Sequence, residues 1–139
     1  MQRERDPPQR AGNNKEVRER TSTALEKGIR RAGMRADESR DAAFRSVILS
    51  IPKGKVATYG EVAAAAGYPL YHRAVARLLR TSPAGRLPWQ RVVGAGGQIK
   101  IPLEGRAEQR LLLEMEGVTF KGVRVDMSKH QHVFRTWEL

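Results

Sequence analysis

Phe44, Val47, Ile48 and Ile51 stand at i, i+3, i+4 and i+7, the spacing that lines up apolar side chains on one face of an α-helix. Nothing earlier in the chain has this density. Residues 1 to about 40 carry Pro7, Pro8, Gly12, Asn13 and Asn14 among mixed charges and have almost no aliphatic side chains. Such a segment cannot bury enough apolar surface to offset its own ordering entropy. The apolar stripe therefore fixes where a core can begin, near Asp41, and the chain divides into an N-terminal extension, residues 1–40, and one domain, residues 41–139. With 139 residues and 40% hydrophobic content, there is material for one modest core and not for two.

Within the extension, KEVRERTSTALEKGIRRAG places Val17, Leu25 and Ile29 as a thin stripe, weakened by Gly28. It reads as a basic, flexible or partly helical arm, with an inert solubilising extension as the alternative. In the domain, Pro52 and Gly54 end the first helix. Thr58, with Glu61 three residues on, makes a capping-box signature before EVAAAAG. A short helix over residues 59–66 follows, closed by Gly67. After Tyr68, Pro69 and Leu70, HRAVARLLR predicts a second helix, and the pair reads as a helix-turn-helix. On its wheel Arg73, Arg77 and Arg80 share a narrow sector opposite Val75, Leu78 and Leu79. Ala74 and Ala76 flank the arginines and are small enough to let a groove wall approach. The alternative is a merely solvated cationic face.

Glycines 94, 96 and 97 between Val92-Val93 and IKI predict a small hairpin or wing. EGRAEQRLLLEMEG predicts the last helix, with Leu111, Leu112 and Met115 on its apolar side and Gly117 closing it. Residues 118–139 read as an extended tail packed by Phe120, Val123 and Val125. The fold class expected is mainly α, a winged helix-turn-helix-like DNA-binding domain with a small β-hairpin.

Lysine and arginine number 26 against 15 acidic residues, a formal charge of +11, which favours a polyanionic partner, nucleic acid before an anionic membrane. No window approaches a membrane span, and MQRERDPPQR has no apolar core for a signal peptide. A cytoplasmic, nucleoid-associated protein is expected. The absence of cysteine removes disulfides, thiolate nucleophiles and Cys-type zinc sites together. His130 and His132 with Asp126 offer too few ligands for zinc. Lys53 and Lys55 around Gly54 lack the phosphate-loop pattern, and Ser82 has no His-Asp pair to activate it. His72 opens the arginine-bearing helix, where a phosphate contact or plain exposure are both open.

IPKGKVATYGEVAAAAG, HRAVARLL, PWQRVV and LLLEMEGV, in that order over about residues 41–127, resemble the DNA-binding domain of the O6-alkylguanine-DNA alkyltransferases, and more closely their alkyltransferase-like relatives. In the enzymes a PCHRV motif supplies the alkyl-accepting cysteine and the histidine that helps ionise it. Here Trp89 and Gln90 occupy those places. Displacement at an alkyl carbon needs a strong nucleophile, which an indole is not, so alkyl transfer by that route is excluded and no cofactor is implied. Glu116 matches the glutamate that supports the histidine in the enzymes and is left with nothing to relay. The alternative for Trp89 is a plain core aromatic.

The resemblance implies a non-enzymatic sensor that binds O6-alkylguanine in duplex DNA by flipping the nucleotide through the minor groove. Tyr59 would press on the phosphate 3′ to the lesion and Arg73 would fill the vacated stack. Ala74, Arg77 and Arg80 would meet the backbone, while Tyr59, Trp89, Gln90 and Arg91 would bound the lesion pocket. It further implies partnership with nucleotide-excision repair proteins, as a monomer. The loop between Arg80 and Trp89 departs from the enzymes, carrying Ser82 and Arg86 where they have an asparagine and an apolar run. Two rivals stand beside this reading. One is a helix-turn-helix protein for undamaged DNA, and the other a dealkylating hydrolase with an unrecognised nucleophile.

Overall fold

The computed structural model describes residues 23–83 and 85–135, with side-chain surroundings from residue 36 onward. The chain divides into two compact units, Met1–Ser39 and Arg40–Leu139. Val17, on the expected arm stripe, lies outside the described residues. Helix α1 spans Thr23–Leu49. It begins well before the start expected near Asp41 and continues through Gly28 and Gly33.

From Arg40 on, the apolar stripe becomes the floor of the main core. Phe44, Ile48 and Ile51 are buried with Val62, Ala63, Val75, Leu78, Leu87 and Val92. The short strand β1, Ala57–Thr58, leads directly into α2, Tyr59–Ala65. Both arms of the capping box form. The Glu61 amide donates to Thr58 Oγ1 at 3.0 Å, and the Thr58 amide donates to Glu61 Oε1 at 2.9 Å. At the other end Gly67, at φ 95, lets the amides of Gly67 and Tyr68 return to the carbonyls of Ala64 and Ala63, which closes the helix in a Schellman turn.

The connection to α3, His72–Thr81, is held by stacked aromatics. Tyr68 meets Phe44 edge-on at 5.9 Å, Tyr71 meets Tyr68 at 5.7 Å, and the Arg40 guanidinium lies 5.0 Å over Tyr71. These contacts set the angle at which α3 leaves the turn, so its Val75 and Leu78 enter the core.

A 3-10 turn, Trp89–Arg91, precedes β2, Val92–Val93. Strand β2 pairs parallel with β1, Ala57 opposite Val92 and Thr58 opposite Val93. The glycine run after it is not the expected hairpin. Ala95–Gly97 forms a second 3-10 turn, and a Cβ on Gly97, at φ 87, would lie 2.5 Å from the Val125 carbonyl. Close passage against the later strand is what these glycines permit. The hairpin lies instead within the expected tail: β3, Phe120–Lys121, pairs antiparallel with β4, Arg124–Val125. A one-turn helix α5, Met127–His130, follows, and residue 131 bridges in parallel to Val56 beside β1.

Helix α4, Leu103–Met115, corrects the expected apolar face. Leu111 and Met115 are 57% and 74% exposed, while Leu113 and Gln109 are buried. Leu113 joins Val56, Val93, Val118 and Val125 in a second, smaller core. The run of three leucines admits more than one face, and the seam is decided by a glutamine that donates from Nε2 to the carbonyls of Gln90 and Val92, both at 3.1 Å.

Candidate nucleic-acid interface

The arginines of α3 reach solvent because the helix spends its other face on the core. Arg73, Arg77 and Arg80 are exposed, and none of their side chains makes a hydrogen bond or ion pair with another described residue. Ala74 departs from the expectation. It is half-buried and packs on the main core, not beside the arginines. Ala76 faces a cavity of about 300 Å3 that α3 shares with Tyr59 and Trp89. From α3 the cavity takes His72, Arg73, Ala76, Leu79 and Arg80. Its remaining wall is the loop Lys100, Ile101 and Pro102. Leu79, expected on the core side, packs on the main core and also lines the cavity.

Tyr59 enters the site because it is the first residue of α2, immediately after the capping Thr58. Burial pushes its phenol above the ordinary value, and the nearby Arg80 charge pulls the other way without reversing the shift. At neutral pH the hydroxyl is therefore protonated and able to donate. Trp89 enters because Pro88 starts the 3-10 turn that presents it. On its far side a smaller recess of about 180 Å3, with Ser82, Pro83 and Leu87, also touches Leu79 and Trp89. The indole is thus a partition and not a core residue.

Gln90 and Arg91 do not line the cavity. They turn the opposite way, onto Glu116 at the C-terminal cap of α4. Gln90 Nε2 donates to Glu116 Oε2 at 2.8 Å, and Arg91 donates from Nε to Oε1 at 3.0 Å and from Nη2 to Oε2 at 2.9 Å. Arg91 Nη1 also donates to the Ile51 carbonyl at 2.8 Å. Burial pushes the Glu116 carboxyl upward, but the hydrogen bonds from Arg91 and Gln90 outweigh it and hold the group below its ordinary value. Glu116, expected to have nothing to relay and only a place in the charge pattern at a helix end, sits at that helix end and is bonded to the turn bearing Trp89.

His72, weighed from the sequence as a phosphate contact, and Ala76, read as a small flank of the arginine face, line the cavity, since 72, 73, 76, 79 and 80 form one helical stripe. Lys100, Ile101 and Pro102 were not read as site residues and had no signal. Their place depends on how the glycine turn folds. Among the other sequence candidates, the His130 ring is engaged with Thr119, at 2.9 Å to its hydroxyl, and with the Gly54 carbonyl at 3.0 Å. Asp126 Oδ1 caps α5 through the Ser128 amide and hydroxyl. A larger recess of about 600 Å3, lined by Ser46, Glu61, His132 and Phe134 among others, shares no residue with the Trp89 cavity. No helix among the described residues is long and apolar enough to cross a membrane.

A helix-turn-helix whose second helix carries exposed arginines beside an aromatic-walled cavity is the arrangement that the resemblance to the alkyltransferase DNA-binding domains leads one to expect. The comparisons agree: residues 40–118 match the family described as 6-O-methylguanine DNA methyltransferase, DNA binding domain, and the chain belongs to that family.

Within it the chain is similar to a DNA base-flipping protein and to an alkyltransferase-like protein. The DNA base-flipping protein of Vibrio parahaemolyticus is 47% identical over 74 residues, 52% of this chain and 74% of its own. Alkyltransferase-like protein 1 of Schizosaccharomyces pombe is 39% identical over 88 residues, 61% of this chain and 81% of its own. The crystal structure of the S. pombe protein with damaged DNA containing O6-carboxymethylguanine superposes with a TM-score of 0.61 at 28% identity. It covers 70% of this chain and 97% of that one.

Proposed function

We propose that this chain is a non-enzymatic sensor of O6-alkylguanine in duplex DNA, which flips the damaged nucleotide through the minor groove and presents it to nucleotide-excision repair. The observation that carries the reading is the Trp89 cavity. It opens beside the unpaired arginines of α3 and is walled by an indole where the enzymes hold their acceptor cysteine. Its volume is at the lower end of the range of about 300–1,000 Å3 for small-molecule sites, a size for one base with an alkyl group.

The physics of the step follows from the residues. Extruding a base costs a few kcal/mol of stacking and pairing, least where alkylation has already impaired pairing, so the lesion selects itself. Arg73, at the cavity mouth, replaces part of the lost stacking with its planar guanidinium. The protonated Tyr59 hydroxyl donates to a backbone phosphate and holds the rotated strand. Arg77 and Arg80 add phosphate contacts that raise affinity without reading sequence. Trp89 gives the alkyl group an apolar face, and with no thiolate in the chain the lesion leaves unchanged. The protein acts as a monomer in the compartment that holds the DNA.

The test is equilibrium binding to matched duplexes carrying O6-methylguanine or guanine at near-physiological salt, followed by mass analysis of protein and DNA. Lesion preference with both masses unchanged is expected. Equal affinity would leave a helix-turn-helix protein for undamaged DNA, and loss of the alkyl group would make the protein an enzyme. Retention of a purified excision-repair damage-recognition protein on the lesion duplex, only when this chain is present, tests the handover.

A further inference from the structure

The loop that completes the Trp89 cavity also borders a second concavity. This space, of about 470 Å3, takes its polar lining from Gln98, Lys100, Arg106 and Arg110. Lys100 lines both spaces, and Arg106 Nε donates to the carbonyl of Ile101, a cavity residue, at 2.8 Å. That bond pins the guanidinium at the rim, and its terminal nitrogens have no bond to another described residue. Arg110 is oriented too. It is held by Glu114 at 3.1 Å and the Gly122 carbonyl at 3.0 Å, and its guanidinium lies 4.2 Å over the Phe120 ring. The acids of this helix, Glu104, Glu108 and Glu114, do not line the concavity.

Lys100 and Arg106 bring positive charge to one concavity with no acid in its lining, while Arg110 is already paired with Glu114. An arginine fork fixed through Nε, with the other nitrogens open, is shaped to meet a phosphate in two-point fashion. We propose that Arg106, with Lys100 and Arg110, forms a second phosphate-binding surface. It would take phosphodiester groups of the bound duplex along the Lys100–Pro102 rim, separate from the contacts of α3.

The proposal rests on the reading above only in taking duplex DNA as the ligand. A duplex lying on the exposed arginines of α3 carries phosphates past the cavity that Arg73 and Arg80 border. Each strand carries one charge per about 3.4 Å of axis, so backbone must pass both rims.

The experiment is the salt dependence of binding by the full chain to a plain duplex and to the same duplex with O6-methylguanine, between 50 and 200 mM salt. Each phosphate neutralised contributes about 0.9 to the slope of log affinity against log salt. Arg106→Gln is expected to lower the slope by about that amount on both duplexes and to weaken binding about fivefold at physiological salt, with the lesion-to-plain ratio preserved. Arg106→Lys is expected to restore the slope. An unchanged slope for Arg106→Gln overturns the proposal, even if the lost Ile101 bond alters the cavity and the ratio.

Should Arg106→Gln not fold, Gln98→Lys gives the converse reading: a steeper slope is expected, and an unchanged one overturns the proposal. Inorganic phosphate at constant ionic strength is expected to compete no better than chloride. Selective competition by it would assign the surface to a free phosphate and overturn the DNA assignment. Because the slope is read on plain DNA, a protein without lesion preference would sink the sensor reading and leave this one standing.

Discussion

The turn Trp89–Arg91 has two sides that treat polar groups in opposite ways. Behind it, Gln90 and Arg91 are hydrogen-bonded to Glu116, Gln109 Nε2 donates to the Gln90 carbonyl while its Oε1 has no partner among the described residues, and the Arg91 and Glu116 side chains are only 13% and 11% exposed. In front of it, Arg73 and Arg80 border an aromatic cavity with no partner among the described residues. Polar groups that hold a fold are paired within it, because burial without a partner is costly. Groups left open on a pinned scaffold are those whose partner comes from outside. The difference separates scaffold from reader within three residues of chain.

The largest expected effect breaks the scaffold side. Glu116→Ala strands the Arg91 guanidinium in a mostly buried place and should lower unfolding free energy by about 3 kcal/mol, as removal of one member of a buried pair does. Urea denaturation checks it, and a loss under about 1 kcal/mol would mean the network is not what fixes the turn.

On the reader side, Arg73→Ala should weaken lesion binding by about 1–3 kcal/mol, in the range of stacking contacts, with stability unchanged within about 0.5 kcal/mol. Titration of both duplexes together with a melting curve separates the two quantities. Trp89→Ala should cost about 1–2 kcal/mol of affinity for a bulky alkyl adduct and less for plain DNA. Equal losses on the two ligands would return Trp89 to the scaffold.

Thr58→Ala removes one arm of the capping box under Tyr59 and should cost about 1 kcal/mol of stability. It should not alter the lesion-to-plain ratio, because the backbone pairing of β1 remains.

The smallest effect is on pH. The folded state holds the Glu116 carboxyl below its ordinary value, so the folded protein binds a proton there less readily than the unfolded chain. The stabilisation is complete above the ordinary carboxylate range and is lost as pH falls through the folded value. Acid titration of stability should show that limb shrinking in Glu116→Gln.

Local chemistry was readable where it is local. Thr58 and Glu61 announced the cap, Arg73, Arg77 and Arg80 their shared face, and PWQRVV the missing thiol. What required the third dimension was pairing across distance. Glu116 lies 26 residues from Gln90, and no periodicity links them. The face of α4 was misread because adjacent leucines fit several phases, and the seam is set by buried Gln109, a residue type that hydrophobic patterning discounts. The hairpin was looked for at the glycines after Val93 because those glycines were taken for a turn. Gly97 instead serves a close crossing against Val125.

The turn is anchored through Gln90 and Arg91, while Trp89 lines two open spaces and is not among the buried core residues. Position 89 is in that sense a tool on a fixed handle: a substitution there is expected to alter what the cavity admits more than how the chain folds. A panel of side chains there, from small to aromatic, would be a set of readers with graded taste for adduct size, each in the same frame.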